Sequence, residues 1–122
     1  MRKDIIKTIE DAKNNLIIFK NSSCVDKIEL AARLCVQSIK TNGKIIFCGN
    51  GGSASDSAHL SAELVGRYLK NRKPYASLSL VSNLSVITAI ANDFGYEDIF
   101  ARQLDAIGNK NDVLFAISTS GK

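Results

Sequence analysis

The chain has 122 residues, 45% of them apolar, which suits one modest core and a single domain. Its 16 basic and 12 acidic residues leave a net charge of +4, and no long basic run alternates with aromatics, so nucleic acid is not an expected partner. No apolar span approaches membrane length, which argues against a membrane partner, and the widely spaced Cys24, Cys35 and Cys48 predict reduced thiols in a cytoplasmic protein.

Residues 3–20 carry Ile5, Ile6, Ile9, Ala12, Leu16 and Phe19 at helical spacing, which predicts an amphipathic first helix. Asn21-Ser22-Ser23 breaks it. A second helix follows, with Val25, Ile28, Ala31, Ala32, Leu34, Cys35 and Ile39 facing inward, and it stops at Asn42-Gly43. Residues 1–42 thus form an N-terminal helical segment ahead of an α/β part over 43–122. The first strand spans 44–48, and a helix runs from about Ser53 to Leu69. The basic patch at 67–73 falls where that helix ends, in position to complement its dipole. Pro74 precedes a second strand over 76–80. Ser82 or Asn83 caps a helix through Ala91, residues 96–107 predict another, and 109–111 turn into a third strand over 112–117.

Strands alternating with helices predict an α/β fold: a three-layer α/β/α parallel sheet joined by right-handed crossovers, with flavodoxin-like strand order. Ser118-Thr119-Ser120-Gly121 after a buried strand is the usual prelude to a further helix. With three strands and no such helix, one face of the sheet is expected to be poorly covered. An incomplete piece of a longer domain, or a domain completed by a partner, is therefore expected.

Three constellations could carry chemistry. In the first, the 44–48 strand breaks into Gly49-Asn50-Gly51-Gly52-Ser53 at a helix start. Glycines admit close backbone approach, and the first amides of a helix lack intrahelical partners, so this elbow can hold a phosphate. An ordinary tight βα turn with Ser53 as N-cap fits equally. Gly-x-Gly-x-x-Gly is not matched, because Ala54 stands at the third glycine, and Ala116 rules out a Walker loop at the Gly-Lys ending. Ser118-Thr119-Ser120 after the third strand offers a second hydroxyl-rich elbow or plain capping residues. If the first and third strands are neighbours, the two elbows flank a switch point where such sheets bind ligands.

The second constellation is His59 and Glu63 at i, i+4, on one helix face about 9–15 Å beyond Ser53 at ~1.5 Å per residue. The pair suits two metal ligands, a base with a polar partner, or a solvated ion pair. The third is Asn92-Asp93, either a helix-end turn or a carboxylate that accepts from sugar hydroxyls.

Taken in order, Gly49-Asn50-Gly51-Gly52-Ser53, His59-x-x-x-Glu63-Leu64, Gly66-Arg67-Tyr68, Asn92-Asp93-Phe94-Gly95 and Ser118-Thr119-Ser120-Gly121 resemble the phosphoheptose isomerases of the sugar isomerase (SIS) domain superfamily. The resemblance covers essentially the whole chain. It implies a five-stranded parallel sheet between helices and a homotetramer. It also implies isomerisation of sedoheptulose 7-phosphate to D-glycero-D-manno-heptose 7-phosphate, the entry to nucleotide-activated heptose for lipopolysaccharide or capsule. By motif position, Ser53, Ser118 and Ser120 would hold phosphate, while Asn50, Gly51, Gly52, Asn92, Asp93 and Thr119 would contact the sugar. His59 and Glu63 would be ligands of one zinc ion per subunit. Glu63 would also lie near the reacting carbons, as the catalytic carboxylate that moves a proton between C1 and C2 through an enediol.

The family pattern continues past Ser-Thr-Ser-Gly with a further phosphate-contacting serine, and with a later helix supplying a glutamine and a histidine. His59 is the only histidine of this chain, so weak or no isomerase activity is expected of the 122 residues alone. Two other readings are a non-catalytic SIS phosphosugar-binding module, similar to the homologue that binds the replication initiator DnaA, and a regulatory or aminosugar-phosphate SIS domain. Glu63 argues against the first, because that relative departs at its position. The His59–Glu63 and Asn92–Asp93 set argues against the second.

Overall fold

The computed structural model describes residues 1–121, so the Lys122 of the Gly-Lys ending lies outside the described residues. The chain forms two compact units, Met1–Leu34 and the remainder from Cys35 on.

The first unit contains α1 (Arg2–Lys20) and the start of α2 (Cys24–Lys40). Ser22 makes the break between them: its hydroxyl donates to Phe19 O at 2.7 Å and accepts the Cys24 N–H at 3.2 Å. The inward faces expected of both helices are not buried within this unit. None of the α1 residues is buried, Leu16 is 70% exposed, and Val25, Ile28 and Leu34 of α2 are also exposed. Helical spacing specifies that a face is apolar, and it does not specify what covers that face.

In the second unit α2 ends with Asn42 at φ +58, so asparagine rather than Gly43 takes the left-handed position, and the Gly43 N–H donates to Ser38 O at 2.8 Å. The chain continues through β1 (Ile45–Gly49), α3 (Gly52–Val65), β2 (Ser77–Ser79), α4 (Leu84–Asp93), a 3-10 turn (Tyr96–Asp98), α5 (Ala101–Ile107) and β3 (Val113–Ile117). The sheet is parallel with order β2-β1-β3, pairing Ile45 with Ser77 and with Val113. Central β1 is buried throughout, as a continuous apolar run predicts for a strand covered on both faces.

The pleat divides the sheet residues between two faces. Ile46 and Cys48 join Leu78 and Leu80 in a core closed by Phe100 and Leu104 of α5 and its approach. On the opposite face Phe47 stacks on Phe115, ring centroids 5.3 Å apart, and α3 lies close because its buried positions are serines 53, 57 and 61. Ser57 donates to Ser53 O at 2.8 Å, and the Ser77 hydroxyl donates to Ile45 O at 2.8 Å and lies 3.3 Å from Ser61 Oγ, so this polar seam is internally satisfied. The poorly covered region expected from sequence is found at β3, where Leu114 is exposed.

Two predicted helices need correction. α3 stops at Val65, not Leu69, because Arg72 donates to the carbonyls of Glu63 at 2.8 Å and Leu64 at 2.9 Å while stacking 4.2 Å over the Tyr75 ring. The basic patch does complement the helix end, but through one guanidinium folding back onto it. The helix predicted over 96–107 splits into the 3-10 turn and α5, whose N-cap Phe100 offers no side-chain acceptor.

The two long strands are clamped at their N-terminal ends. Asp112 accepts the Lys44 N–H at 2.9 Å, the Lys44 ammonium at 2.6 Å and the Asn109 N–H at 2.8 Å, with its side chain only 7% exposed. Burial pushes the Asp112 carboxyl up, but the Lys44 side-chain and backbone hydrogen bonds, the Asn109 amide and the Lys44 charge outweigh it and hold the pKa below the ordinary 3.8. A carboxylate with a depressed folded pKa stabilises fully above its unfolded value and loses that contribution as pH falls through the folded one. Asp112→Ala is expected to cost on the order of 2–3 kcal/mol near neutral pH. Below pH 3.8 the wild-type advantage over Asp112→Asn should shrink. Urea unfolding from pH 7 down to the acid limit checks both, and parallel stability curves for wild type and Asp112→Asn would refute the assignment.

Candidate functional site

The site is set by how closely β1 approaches its neighbours where it ends. A Cβ built on Gly49 would lie 2.7 Å from Ser53 Cβ, 2.8 Å from Ser53 O and 2.9 Å from Ile117 O, so only glycine fits between α3 and β3. The chain then turns through Asn50 and through Gly51 at φ +57, ψ −123, a left-handed conformation open to glycine, and α3 begins at Gly52. Gly51, not Ser53, is the N-cap. Ser53 is buried inside the first turn, its N–H donating to Asn50 O at 3.0 Å, and no side chain caps the helix. Ser53 is therefore not the capping residue of an ordinary βα turn, and α3 turns the positive end of its dipole to the elbow while its Ser53 and Ala54 amides donate to Asn50 O and Gly51 O.

Gly49 pairs with Ile117, so Ser118-Thr119 leave β3 directly beside the glycine elbow. The second elbow is folded on itself: Ser118 and Ser120 hydroxyls lie 3.4 Å apart, and the Gly121 N–H donates to Ser118 Oγ at 3.0 Å. Asn50, Ser53, Ser118 and Thr119 line one cavity of about 260 Å³, walled by Cys48 and Phe100. Among the described residues none that lines it is charged. Attraction for an anion would come from hydroxyls, backbone amides and the α3 dipole. Burial raises the Cys48 thiol above its ordinary pKa, so this wall carries no thiolate near neutral pH.

A second cavity of about 190 Å³ adjoins the first and is bounded by Gly51, Ala54, Ile87 and Tyr96, with Gly49, Asn50 and Phe100 lining both. The remaining sequence-predicted residues lie outside both cavities. His59 Nε2 stands 3.6 Å from Glu63 Oε1 along α3, with His59 73% and Glu63 30% exposed. Among the described residues no third His, Cys, Asp or Glu joins them as a metal-binding group. Asn92 Nδ2 donates to Asp93 Oδ1 at 2.8 Å at the end of α4. Gly52 and Ser120 belong to the elbows without lining either cavity.

Sequence reasoning missed Phe100, which lines both cavities, and Tyr96, whose hydroxyl donates to Asn50 Oδ1 at 2.8 Å. The signal for Tyr96 was Gly95, which breaks the helical pattern immediately before it.

The SIS domain family model matches residues 10–122. A Helicobacter pylori phosphoheptose isomerase is 46% identical over 121 residues, spanning 99% of this chain and 60% of the relative. A phosphoheptose isomerase of Akkermansia muciniphila is 51% identical over 82% of the chain and 53% of its own length. Among solved structures, phosphoheptose isomerase GmhA from Neisseria gonorrhoeae superposes with a TM-score of 0.86 at 33% identity, over 97% of this chain and 60% of that one. The chain thus spans between 53% and 60% of the length of these relatives.

Gly49→Ala should destabilise the protein by about 1–3 kcal/mol through overpacking against backbone and should weaken inorganic phosphate binding as the elbows part. Gly52→Ala, whose Cβ would meet nothing within 4 Å, should leave stability unchanged or slightly raised. Thermal denaturation paired with phosphate titration checks the contrast, and equal behaviour of the two variants would refute the close-approach argument.

Proposed function

This chain belongs to the SIS domain family, and from that premise we propose that the protein interconverts sedoheptulose 7-phosphate and D-glycero-D-manno-heptose 7-phosphate. The observation that carries the reading is one cavity, uncharged among its described lining residues, shared by the glycine elbow after β1 and the hydroxyl elbow after β3. Ser53, Ser118 and Ser120 hold the phosphate in this reading, and Asn50, Gly51, Gly52, Thr119, Asn92 and Asp93 meet the hydroxylated carbon chain. Similarity to the phosphoheptose isomerases of Helicobacter pylori and Akkermansia muciniphila supports the choice of substrate.

The proposed base lies away from the phosphate grip, as the chemistry of this substrate requires. Ketose-to-aldose isomerisation moves one proton from C1 to C2 and another from O1 to O2 through an enediol. The reacting carbons lie at the end of the heptose opposite the C7 phosphate. Glu63 stands about 15 Å along α3 from Ser53, at ~1.5 Å per residue, and is the carboxylate this reading assigns as the base for C1. In this reading Glu63 takes the C1 proton as a carboxylate and returns it to C2 as the carboxylic acid. His59 at 3.6 Å restrains and partners it.

Zinc is the further proposal for the His59–Glu63 pair, where it would act as a Lewis acid on the carbonyl. Two donors fall short of the tetrahedral set, and none of the other described residues completes it, so no step is assigned to a metal. The proposed setting is the cytoplasm, in keeping with three free thiols, and the product would feed nucleotide-activated heptose. A homotetramer is proposed because the apolar faces of α1 and α2 are exposed and further copies of the chain would cover them.

The position of Glu63 outside both cavities favours one alternative, a non-catalytic phosphosugar-binding module. Glu63→Gln in the complete protein separates the two. An isomerase should lose at least about a hundredfold in turnover while holding sedoheptulose 7-phosphate as before, whereas a binding module shows no turnover in wild type and no change in the variant. Ser53→Ala should weaken both inorganic phosphate and the sugar phosphate about tenfold. Calorimetric titration that finds neither weakened would remove the phosphate grip from the proposal.

A further inference from the structure

The 3-10 turn after α4 places an aromatic hydroxyl against the glycine elbow, 46 residues away in sequence. Tyr96 Oη donates to Asn50 Oδ1 at 2.8 Å, and this side-chain bond joins the turn to the loop that links β1 and α3. Asn50 lines both cavities, so its carboxamide stands at their junction, between the phosphate elbow and the space bounded by Tyr96. A carboxamide has an acceptor end and a donor end, and a free asparagine side chain presents either one after a half-turn. The Tyr96 hydroxyl occupies the acceptor end. The Nδ2 donors are then turned away from the Tyr96 hydroxyl.

We infer that Tyr96 is a positioning residue that fixes the Asn50 carboxamide as a donor to the carbon-chain oxygens of the bound sugar phosphate. The inference rests on the sugar-phosphate reading of the site and deepens it by assigning how the sugar, as distinct from the phosphate, is recognised. Without the hydroxyl the carboxamide samples both orientations, and half of them set an acceptor against the lone pairs of a sugar oxygen. The phosphate grip is untouched, because its hydroxyls come from Ser53, Ser118 and Ser120, of which Ser53 and Ser118 line the first cavity. The tyrosine ring is 58% exposed and contributes little to the core, so removal of its oxygen leaves the fold intact.

The test titrates sedoheptulose 7-phosphate and inorganic phosphate separately into wild type, Tyr96→Phe, Asn50→Ala and the double variant, in the complete protein. Tyr96→Phe should weaken the sugar phosphate about five- to tenfold and leave inorganic phosphate within about twofold, a split that a merely structural role would not produce. In the Asn50→Ala background the same change should cost nothing further. Equal weakening of both ligands, or an undiminished loss in the Asn50→Ala background, overturns the assignment. If wild type prefers the sugar phosphate and Tyr96→Phe retains that preference in full, only the role of Tyr96 falls. If wild type holds the sugar phosphate no more tightly than inorganic phosphate, the sugar-phosphate reading falls and the assignment falls with it.

Discussion

The end of β1 is the constraint on which the rest of this molecule turns. Gly49 is wedged between the first turn of α3 and the last residue of β3, with backbone oxygens of both closer than any side chain tolerates. That proximity makes one cavity out of two elbows. A strand that ended one side chain further from β3 would leave Ser53 and Ser118 facing separate patches of solvent. Closeness is achieved on the α3 side by serines at positions 53, 57 and 61, which let the helix lie near the sheet while satisfying their own hydroxyls. At the opposite end of the same two strands, Asp112 and Lys44 hold the register that aligns Gly49 with Ile117. The site is thus fixed at a distance by an ion pair that takes no part in it.

Much of this was legible from sequence, for identifiable reasons. The continuous apolar run of β1 announced a strand buried on both faces, and the alternation of strands with helices announced a parallel sheet; that the first and third strands are neighbours stood there as a condition, and the structure meets it. The order β2-β1-β3 matches the start of a flavodoxin-like sheet, whose ligand crevice lies between the first and third strands. Asn83 was readable as a cap, and it accepts the Val86 N–H at 3.2 Å.

What escaped the sequence depended on tertiary partners. The extent of α3 was overestimated because residues 66–69 carry no proline and sit beside a basic run, whereas the helix is closed by Arg72 reaching back to Glu63 and Leu64. The serine face of α3 left no apolar periodicity to read, since its buried side is polar and small. Tyr96 and Phe100 were absorbed into a predicted helix that the structure breaks, and the break is what brings one to Asn50 and the other to the lining of both cavities. The apolar stripes of α1 and α2 were correctly seen as faces, but a stripe carries no information about its cover.

The separation of the His59–Glu63 pair from the cavities bears on how the proposed chemistry would be powered. A phosphate held by hydroxyls and helix amides contributes binding energy far from the reacting carbons, and such remote energy is useful when it orients a substrate for a step elsewhere. The lining, uncharged among the described residues, favours that use. A lysine or arginine in the cavity would bind inorganic phosphate tightly on its own, and the sugar would add little. With neutral donors the grip is weaker for the bare ion, and the carbon chain must contribute the remainder through groups such as Asn50. Discrimination between a heptose phosphate and free phosphate would then reside in the carboxamide at the junction, and the carboxylate on α3 would be left to act on whatever that junction has aligned.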